Sequence, residues 1–245
     1  MITSRQNEFV KHVRSLKDKK NRDIFGEYVA EGIRSVTDAV SAGAEVVAIA
    51  VVPDLYEKVK DLAPRCETVS EEVFGAISEE VTPQGVIAVI KKPKESAVAQ
   101  GKCLFLDGVS DPANVGAAIR SAAAFGFNSV FIGSGADPYS GKAVRASMGG
   151  IFRVKIFTGE SKELLDKIAV PIVCADMNGE SVVTATIPQE FCLVIGNEAH
   201  GVSENAKARA AKTLAIPMQN GMESLNAAVS AGIIMFATTY INRKE

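Results

Sequence analysis

Ile216-Pro217-Met218-Gln219-Asn220-Gly221-Met222-Glu223-Ser224-Leu225-Asn226, followed by the small, apolar run Ala227 to Thr239, governs the reading of the whole chain. Pro217 and Gly221 mark a loop, and Pro217 disfavours helix at Ile216. Glu223, Ser224 and Asn226 bring three polar side chains to the mouth of a helix whose body reads as buried. Two readings stand side by side. A helix start has free N–H groups, so polar side chains crowded there, with small residues behind, suit a held ligand. The alternative is a core helix capped by Ser224 with nothing bound. The run Ala227 to Tyr240 is shorter than a membrane span and carries Ser230, so a core or interface helix is expected and no membrane association.

Working back from that stretch, Ile195-Gly196-Asn197-Glu198-Ala199-His200-Gly201-Val202 closes an apolar strand. Gly196 permits close backbone approach, and Glu198 places a carboxylate where the loops gather. His200 suggests a general base, but no partner is evident in the sequence, and a surface or capping role is the reading taken. Asp107-Gly108-Val109-Ser110-Asp111-Pro112-Ala113-Asn114-Val115-Gly116 likewise follows a strand and opens a helix, at the strand end where α/β folds bind ligands. Arg120 lies on that helix about one and a half turns beyond Asn114. It stands alone among Ala117, Ala118, Ile119, Ser121 and Ala122, and so needs either an anion to hold or a structural carboxylate. Gly133 to Lys142 invites a phosphate-loop reading and fails it: one residue too many separates Gly135 from Gly141, and Ala143 replaces the metal-binding hydroxyl. A flexible loop leading into a helix with Lys142 and Arg145 is expected there.

From Cys103 onward strands and helices alternate, predicting a largely parallel sheet covered on both faces. Strands are expected at Cys103–Leu106, Ser129–Gly133, Phe152–Phe157, Ile172–Ala175, Phe191–Gly196 and Thr213–Ile216. Helices are expected at Asn114–Phe125, Ser161–Ile168 and Ser203–Ala210. Residues 1 to 95 read as a smaller α/β unit, with strands at Val46–Val52 and Val86–Ile90 and a helix from Ile33 to Ala42. Its first helix and following loop gather Arg5, Lys11, His12, Arg14, Lys17, Lys19, Lys20 and Arg22, diluted by Glu8, Asp18 and Asp23, either as a solvated face or as an RNA contact. The charged, proline-containing stretch Lys91 to Gln100 reads as a linker, which divides the chain into 1–95 and 96–245.

Composition sets the outer bounds. With 245 residues, 47% of them hydrophobic, there is ample core for one large or two modest domains. A formal net charge of −2 gives no global basic field to announce a nucleic-acid binder, although a local patch suffices for one. Cys66, Cys103, Cys174 and Cys192 lack zinc or redox spacing and read as reduced thiols in a cytoplasmic protein.

Taken together and in order, Asp107-Gly108-Val109 through Asn114-Val115-Gly116-Ala117-Ala118-Ile119-Arg120-Ser121, then Ile195 to Gly201, then Ile216-Pro217-Met218 to Glu223-Ser224-Leu225-Asn226 resemble the three signature motifs of the SpoU/TrmH family. These are S-adenosylmethionine-dependent RNA ribose 2′-O-methyltransferases of the SPOUT superfamily. The match runs from about Cys103 to the end. A looser likeness, resting mostly on Lys17 to Gly32, links the N-terminal part to the L30e-like substrate-binding domain of ribosomal-RNA members.

The resemblance implies an α/β fold: a C-terminal trefoil-knotted (SPOUT) parallel-sheet domain with a smaller N-terminal L30e-like domain. Sequence rules alone would not have suggested a knot. It also implies a bent S-adenosylmethionine among Ile195, Gly196, Ile216, Pro217, Met218, Ser224 and Leu225, with the backbone of Gly196, Ile216 and Leu225 bonding the adenosine. Arg120 is implied at the ribose hydroxyl, with Glu198 orienting Arg120 or the sugar, and Asn114, Ser224 and Asn226 holding substrate and loop geometry. No metal is implied. A homodimer is, with the helix from Leu225 to Tyr240 at its interface. The extra N-terminal domain favours 23S rRNA over tRNA as the substrate. The competing readings are a tRNA 2′-O-methyltransferase, a non-catalytic RNA-binding factor on the same scaffold, and a ribosome-protecting resistance enzyme with the same chemistry. Asn220, where many members have Gly, and the run Ala227-Ala228-Val229-Ser230 are small departures.

Overall fold

The computed structural model describes residues 1–94 and 101–241. The chain divides into two compact units, one of Met1–Lys94 joined by Tyr139–Arg145, the other of the remaining residues. Most of the expected linker, residues 95–100, lies outside the described residues. Its start is corrected, because Lys91 is still in a strand and bonds Glu27 at 2.6 Å, while Lys92 pairs with Asp23 at 2.6 Å.

In the first unit the elements run α1 (Glu8–Ser15), α2 (Lys19–Phe25), β1 (Glu27–Glu31), α3 (Ile33–Ser41), β2 (Val46–Val51), α4 (Tyr56–Val59), β3 (Cys66–Thr68), α5 (Glu71–Ile77) and β4 (Val86–Lys91). The sheet order is β1-β4-β2-β3, with β4 antiparallel to β1 and β2, and β2 parallel to β3. Strand side chains alternate between faces. Ala48, Ala50, Ile87 and Val89 therefore share one face and pack with Phe9, Val10, Val13 and Leu16 of the α1 region and Val73, Phe74 and Ile77 of α5. Asn7 caps α1 by accepting from Phe9 N–H, and Ser70 caps α5 by accepting from Val73 N–H.

The expected basic face of this unit is largely spent inside it. Arg22 is buried and donates to Leu16 O and Lys17 O, and Lys17 Nζ donates to Ser78 O at 2.8 Å. Lys11, Lys19 and Arg5 pair with Glu8, Asp23 and Glu72. Arg14, Lys20 and Arg34 stay exposed and make no ion pair with the described residues.

The second unit contains β5 (Cys103–Asp107), α6 (Pro112–Ala124), β6 (Ser129–Gly133), β7 (Lys155–Gly159), α8 (Ser161–Asp166), β8 (Ile172–Ser181), β9 (Cys192–Gly196), α9 (Glu204–Lys207), β10 (Ala210–Ala215) and α10 (Ala227–Phe236). The helix α7 (Gly141–Ser147) lies in the segment where the chain passes between units. All six strands are parallel, in the order β10-β8-β9-β5-β6-β7. One face buries Phe105, Phe131, Phe157, Cys174, Cys192 and Val194 under Leu164, Leu165 and Ala206 of α8 and α9. Phe105, Phe131 and Phe157 occupy one register row and stack across three strands, with centroids 6.4 and 4.7 Å apart. The other face lies under α6 and α10, which pack on each other. At that seam a Cβ on Gly232 would make ordinary contact, 3.5 Å from Ser121 Oγ.

Three expectations for this unit change, the first being the helix at Ser203–Ala210, of which only α9 (Glu204–Lys207) forms because Ala210 already opens β10. Phe152–Phe157 is not one strand: Gly150–Phe152 forms a short turn of 3-10 helix, and β7 begins at Lys155. β8 does not stop at Ala175 but continues to Ser181.

Candidate active site

From β5 the chain builds outward through β6 and β7 on one side, then crosses to lay down β8, β9 and β10 on the other. Ligand sites of parallel sheets lie at the carboxyl ends of strands flanking such a reversal. Here those strands are β5 and β9, and Asp107 and Gly196 stand in register at their ends.

The two loops that leave these ends are stitched together. Asp107 is buried; its Oδ1 accepts from Ser161 Oγ at 2.8 Å and its Oδ2 from Ser203 N–H at 2.9 Å. Asn197 donates to Gly108 O at 2.8 Å and accepts from Ala199 and His200 N–H. Its backbone pairs with Gly201 in both directions, folding residues 197–201 back over Gly196. A Cβ on Gly196 would lie 2.1 Å from Gly201 C, so this glycine makes room for the chain itself. Gly133 and Gly135 serve the same end: their Cβ positions collide with Ser161 and with the Val109 carbonyl. The Gly133 to Lys142 stretch is thus packing chemistry, in keeping with its failure as a phosphate loop.

A polar chain joins all three motif loops. Asn114 Nδ2 donates to Glu198 Oε1 at 2.8 Å, and Asn226 Nδ2 donates to Asn114 Oδ1 at 2.9 Å. Glu198 Oε2 accepts from Ser110 N–H and Oγ, both at 3.4 Å. Burial raises the Glu198 carboxyl, but these hydrogen bonds outweigh it and hold the group below the usual carboxylate range. Asn226 Oδ1 accepts from Ala228 and Val229 N–H, so the cap of α10 is Asn226 and not Ser224. Glu198 reaches Asn114 and Ser110 rather than Arg120. Arg120 is exposed and makes no hydrogen bond or ion pair with the described residues. The structural-carboxylate reading of Arg120 therefore fails. Gly150 packs against its backbone, where a Cβ would come within 2.9 Å of Arg120 Cα.

Two hollows meet at this chain. A cavity of about 480 Å³ is lined by Ile195, Gly196, Asn197, Glu198, Ser224 and Leu225, and by Asp176, Met177 and Asn178. It adjoins a smaller one walled by Leu214, Ile216, Met218, Leu225 and Ile234. Pro217 belongs to the same loop without lining either. A more open groove of about 780 Å³ is lined by Asn114, Arg120, Ser121, Asn226, Val229 and Phe236. Among the described residues the only backbone hydrogen bond within Ile216–Leu225 joins Met222 N–H to Gln219 O at 3.3 Å. Peptide groups around an apolar hollow are thus left to pair with something else. Asn220 sits at φ +58, a left-handed position that Asn tolerates better than most residues, which accounts for it where Gly is common.

Sequence reasoning missed Asp176, Met177 and Asn178. The local sign is an interruption of the apolar run by polar residues and Gly179, which reads equally as a strand end; the renewed pairing beyond it shows only in the structure. His200 is exposed, its Nδ1 3.1 Å from Asn197 Oδ1. No three His, Cys, Asp or Glu side chains among the described residues converge as a metal site, and no described helix is long and apolar enough to cross a membrane.

This arrangement is that of a SPOUT-fold RNA methyltransferase, and the chain belongs to the SpoU rRNA Methylase family, whose model matches residues 101–236. Residues 7–88 match the MRM3-like substrate binding domain. Among relatives, the 23S rRNA (guanosine(2553)-2′-O)-methyltransferase RlmP of Bacillus subtilis (strain 168) is 32% identical over 242 residues, covering 96% of this chain and 97% of the other. Among solved structures, the AdoMet-bound rRNA methyltransferase from Sinorhizobium meliloti superposes with a TM-score of 0.86 at 27% identity, covering 97% of this chain and 96% of that one. The SpoU methyltransferase AviRb from Streptomyces viridochromogenes, in complex with AdoMet, gives a TM-score of 0.86 at 26% identity, covering 96% and 97%.

Proposed function

We propose that the protein is an S-adenosylmethionine-dependent methyltransferase acting on a ribose 2′-hydroxyl of ribosomal RNA, with 23S rRNA as the substrate. The observation that carries this reading is the exposed Arg120, without a partner among the described residues, set beside the Asn114–Asn226 pair that links its groove to the glycine-tight cavity.

The cavity suits the donor. Leu214, Ile216, Met218 and Leu225 offer apolar walls to an adenine, and the Ile216–Leu225 backbone, most of which has no backbone partner among the described residues, offers the hydrogen bonds its edge requires. Ile195, Gly196 and Ser224 complete the enclosure. S-adenosylmethionine, when bound, supplies an electrophilic methyl carried on a sulfonium.

A ribose hydroxyl is a weak nucleophile that must shed its proton around the transition state. A guanidinium is not deprotonated in proteins, so Arg120 is no resting-state base. Its role is to position the neighbouring phosphate and to stabilise the developing alkoxide. Glu198 and Asn226 hold Asn114 between them, fixing the edge along which the ribose enters. The unit of residues 1–95 is the RNA substrate-binding domain, with Arg14, Lys20 and Arg34 free for phosphates, and residues 96–245 form the catalytic domain.

A homodimer fits the exposed stripe Val229, Ile233, Phe236 and Tyr240, which helical spacing places along one face of α10 and its continuation. Its setting is the cytoplasm, where ribosomal RNA is available.

Wild-type protein and Arg120→Ala, each incubated with labelled donor and unmodified ribosomal RNA, test the reading. Transfer should fall by about a hundredfold or more in the variant, with donor affinity kept within about twofold. Equal loss of affinity and transfer would refute the role given to Arg120.

A further inference from the structure

Among the described residues, the wall of the donor cavity carries three carboxylates, Asp176, Glu198 and Glu223, and no Lys, Arg or His. Loops and close-packed glycines shape the cavity; the carboxylates set its charge. Glu198 is committed through both oxygens to Asn114 and Ser110, and Glu223 stands exposed on its loop. Asp176 is different. It sits half-buried on an excursion of β8: Cys174 pairs with Thr213 and Glu180 with Leu214, so residues Ala175 to Gly179 have no counterpart on β10. The excursion closes because Gly179 lies against Leu214, where a Cβ would be 2.6 Å from Leu214 C. Asp176 Oδ1 shapes it by accepting from Asn178 N–H at 3.0 Å and Nδ2 at 3.2 Å. Asp176 Oδ2 makes no hydrogen bond or ion pair with the described residues. One oxygen builds the loop, and the other is left over in the wall of the cavity.

We propose that Asp176 is a specificity-determining residue that makes this cavity prefer the cationic S-adenosyl donor over its neutral thioether product. The inference rests on the methyl-transfer reading above. In that transfer the carbon–sulfur bond breaks with its electron pair kept by sulfur, the methyl joins the ribose oxygen, and the hydroxyl proton leaves to solvent. The molecule in the cavity thereby loses one positive charge, while the wall keeps its negative ones. A carboxylate in that wall strengthens binding before transfer more than after it, which promotes product release and limits product inhibition.

Titration calorimetry on the full chain tests this with three probes: S-adenosylmethionine, the neutral S-adenosylhomocysteine, and sinefungin, whose amine replaces the sulfonium with an ammonium. Asp176→Asn keeps the acceptor for Asn178 and removes the charge. It should weaken S-adenosylmethionine and sinefungin about fivefold while leaving S-adenosylhomocysteine within about twofold. Asp176→Glu should restore the preference, and high salt should narrow it in the wild type. Equal weakening of all three ligands, or no change in any, would overturn the role of Asp176 while leaving methyl transfer standing. A wild-type protein that bound none of the three would overturn the methyl-transfer reading, and this inference with it.

Discussion

The two units treat their charged groups in opposite ways. In the first, the buried charges are answered where they lie, and the charges left over, Arg14, Lys20 and Arg34, are exposed. Glu27, with a side chain 9% exposed, is held by Lys91 and His12 at 2.6 Å each, and Glu31 accepts from Ser78 Oγ at 2.7 Å. Burial raises the Glu27 carboxyl, but the Lys91 and His12 contacts prevail and lower it overall. In the second unit the polar groups collect at one rim of a parallel sheet, and several are not answered at all. Among the described residues Arg120 has no partner, one oxygen of Asp176 has none, and the loop Ile216–Leu225 leaves most of its peptide groups without backbone partners. Groups as exposed as Arg120 and this loop are paired by water at little cost, so the contrast separates the groups that hold structure from those that can exchange water for a ligand.

Substitutions can break this contrast or sharpen it. The largest effect belongs to Gly196→Ala. Its methyl would fall inside the 197–201 turn, so donor binding should vanish and the second unit should lose about 3 kcal/mol or more, read by calorimetry and urea unfolding. Normal donor affinity in that variant would show that the turn does not shape the cavity. Asn226→Ala comes next. It removes the α10 cap, worth about 1 kcal/mol, and the hold on Asn114. Transfer rate should fall about tenfold with a smaller change in donor affinity, because the lost contact positions groups and leaves the adenine walls intact.

Glu27→Gln should act on the other side of the comparison. Hydrogen exchange at β1 and β4 should quicken by the equivalent of about 1–2 kcal/mol while β5 and β9 keep their protection. Exchange that quickened equally in both sheets would erase the distinction between the units. The smallest effect is in pH. Since Glu198 is lowered in the folded protein, its contribution is present above its unfolded-state value and is lost only as pH falls through the lower folded value. The Asn114 side-chain amide resonance, followed by NMR, should hold steady through mildly acidic pH and shift only below the ordinary glutamate range. A shift near neutrality would mean that the Glu198 contacts are not made in solution.

The second unit was far more legible in sequence than the first. Cys103 to Leu106, Val130 to Gly133 and Cys192 to Ile195 are buried throughout, so each reads as an unbroken apolar run. Their loops carry the residues that define the family. What escaped notice depends on partners distant in sequence. β3 is a three-residue edge strand with no apolar pattern, held by pairing to β2. The β8 excursion looks like a strand end, because nothing local announces that Glu180 will pair again with Leu214. The capping role fell to Asn226 rather than Ser224 through a geometry that composition does not fix. The basic residues of the first helices read as one surface, whereas Arg22 and Lys17 turn inward onto carbonyl oxygens.

Where the methyl group goes decides whether this protein is a ribose methyltransferase. Ribosomal RNA lacking the modification, treated with wild-type protein and labelled S-adenosylmethionine, can be digested to nucleosides and separately hydrolysed in alkali. The account predicts that the label runs with a single 2′-O-methylated nucleoside, and that alkali spares the phosphodiester bond on its 3′ side. Label on a base, or an alkali-sensitive bond at the methylated position, would contradict it.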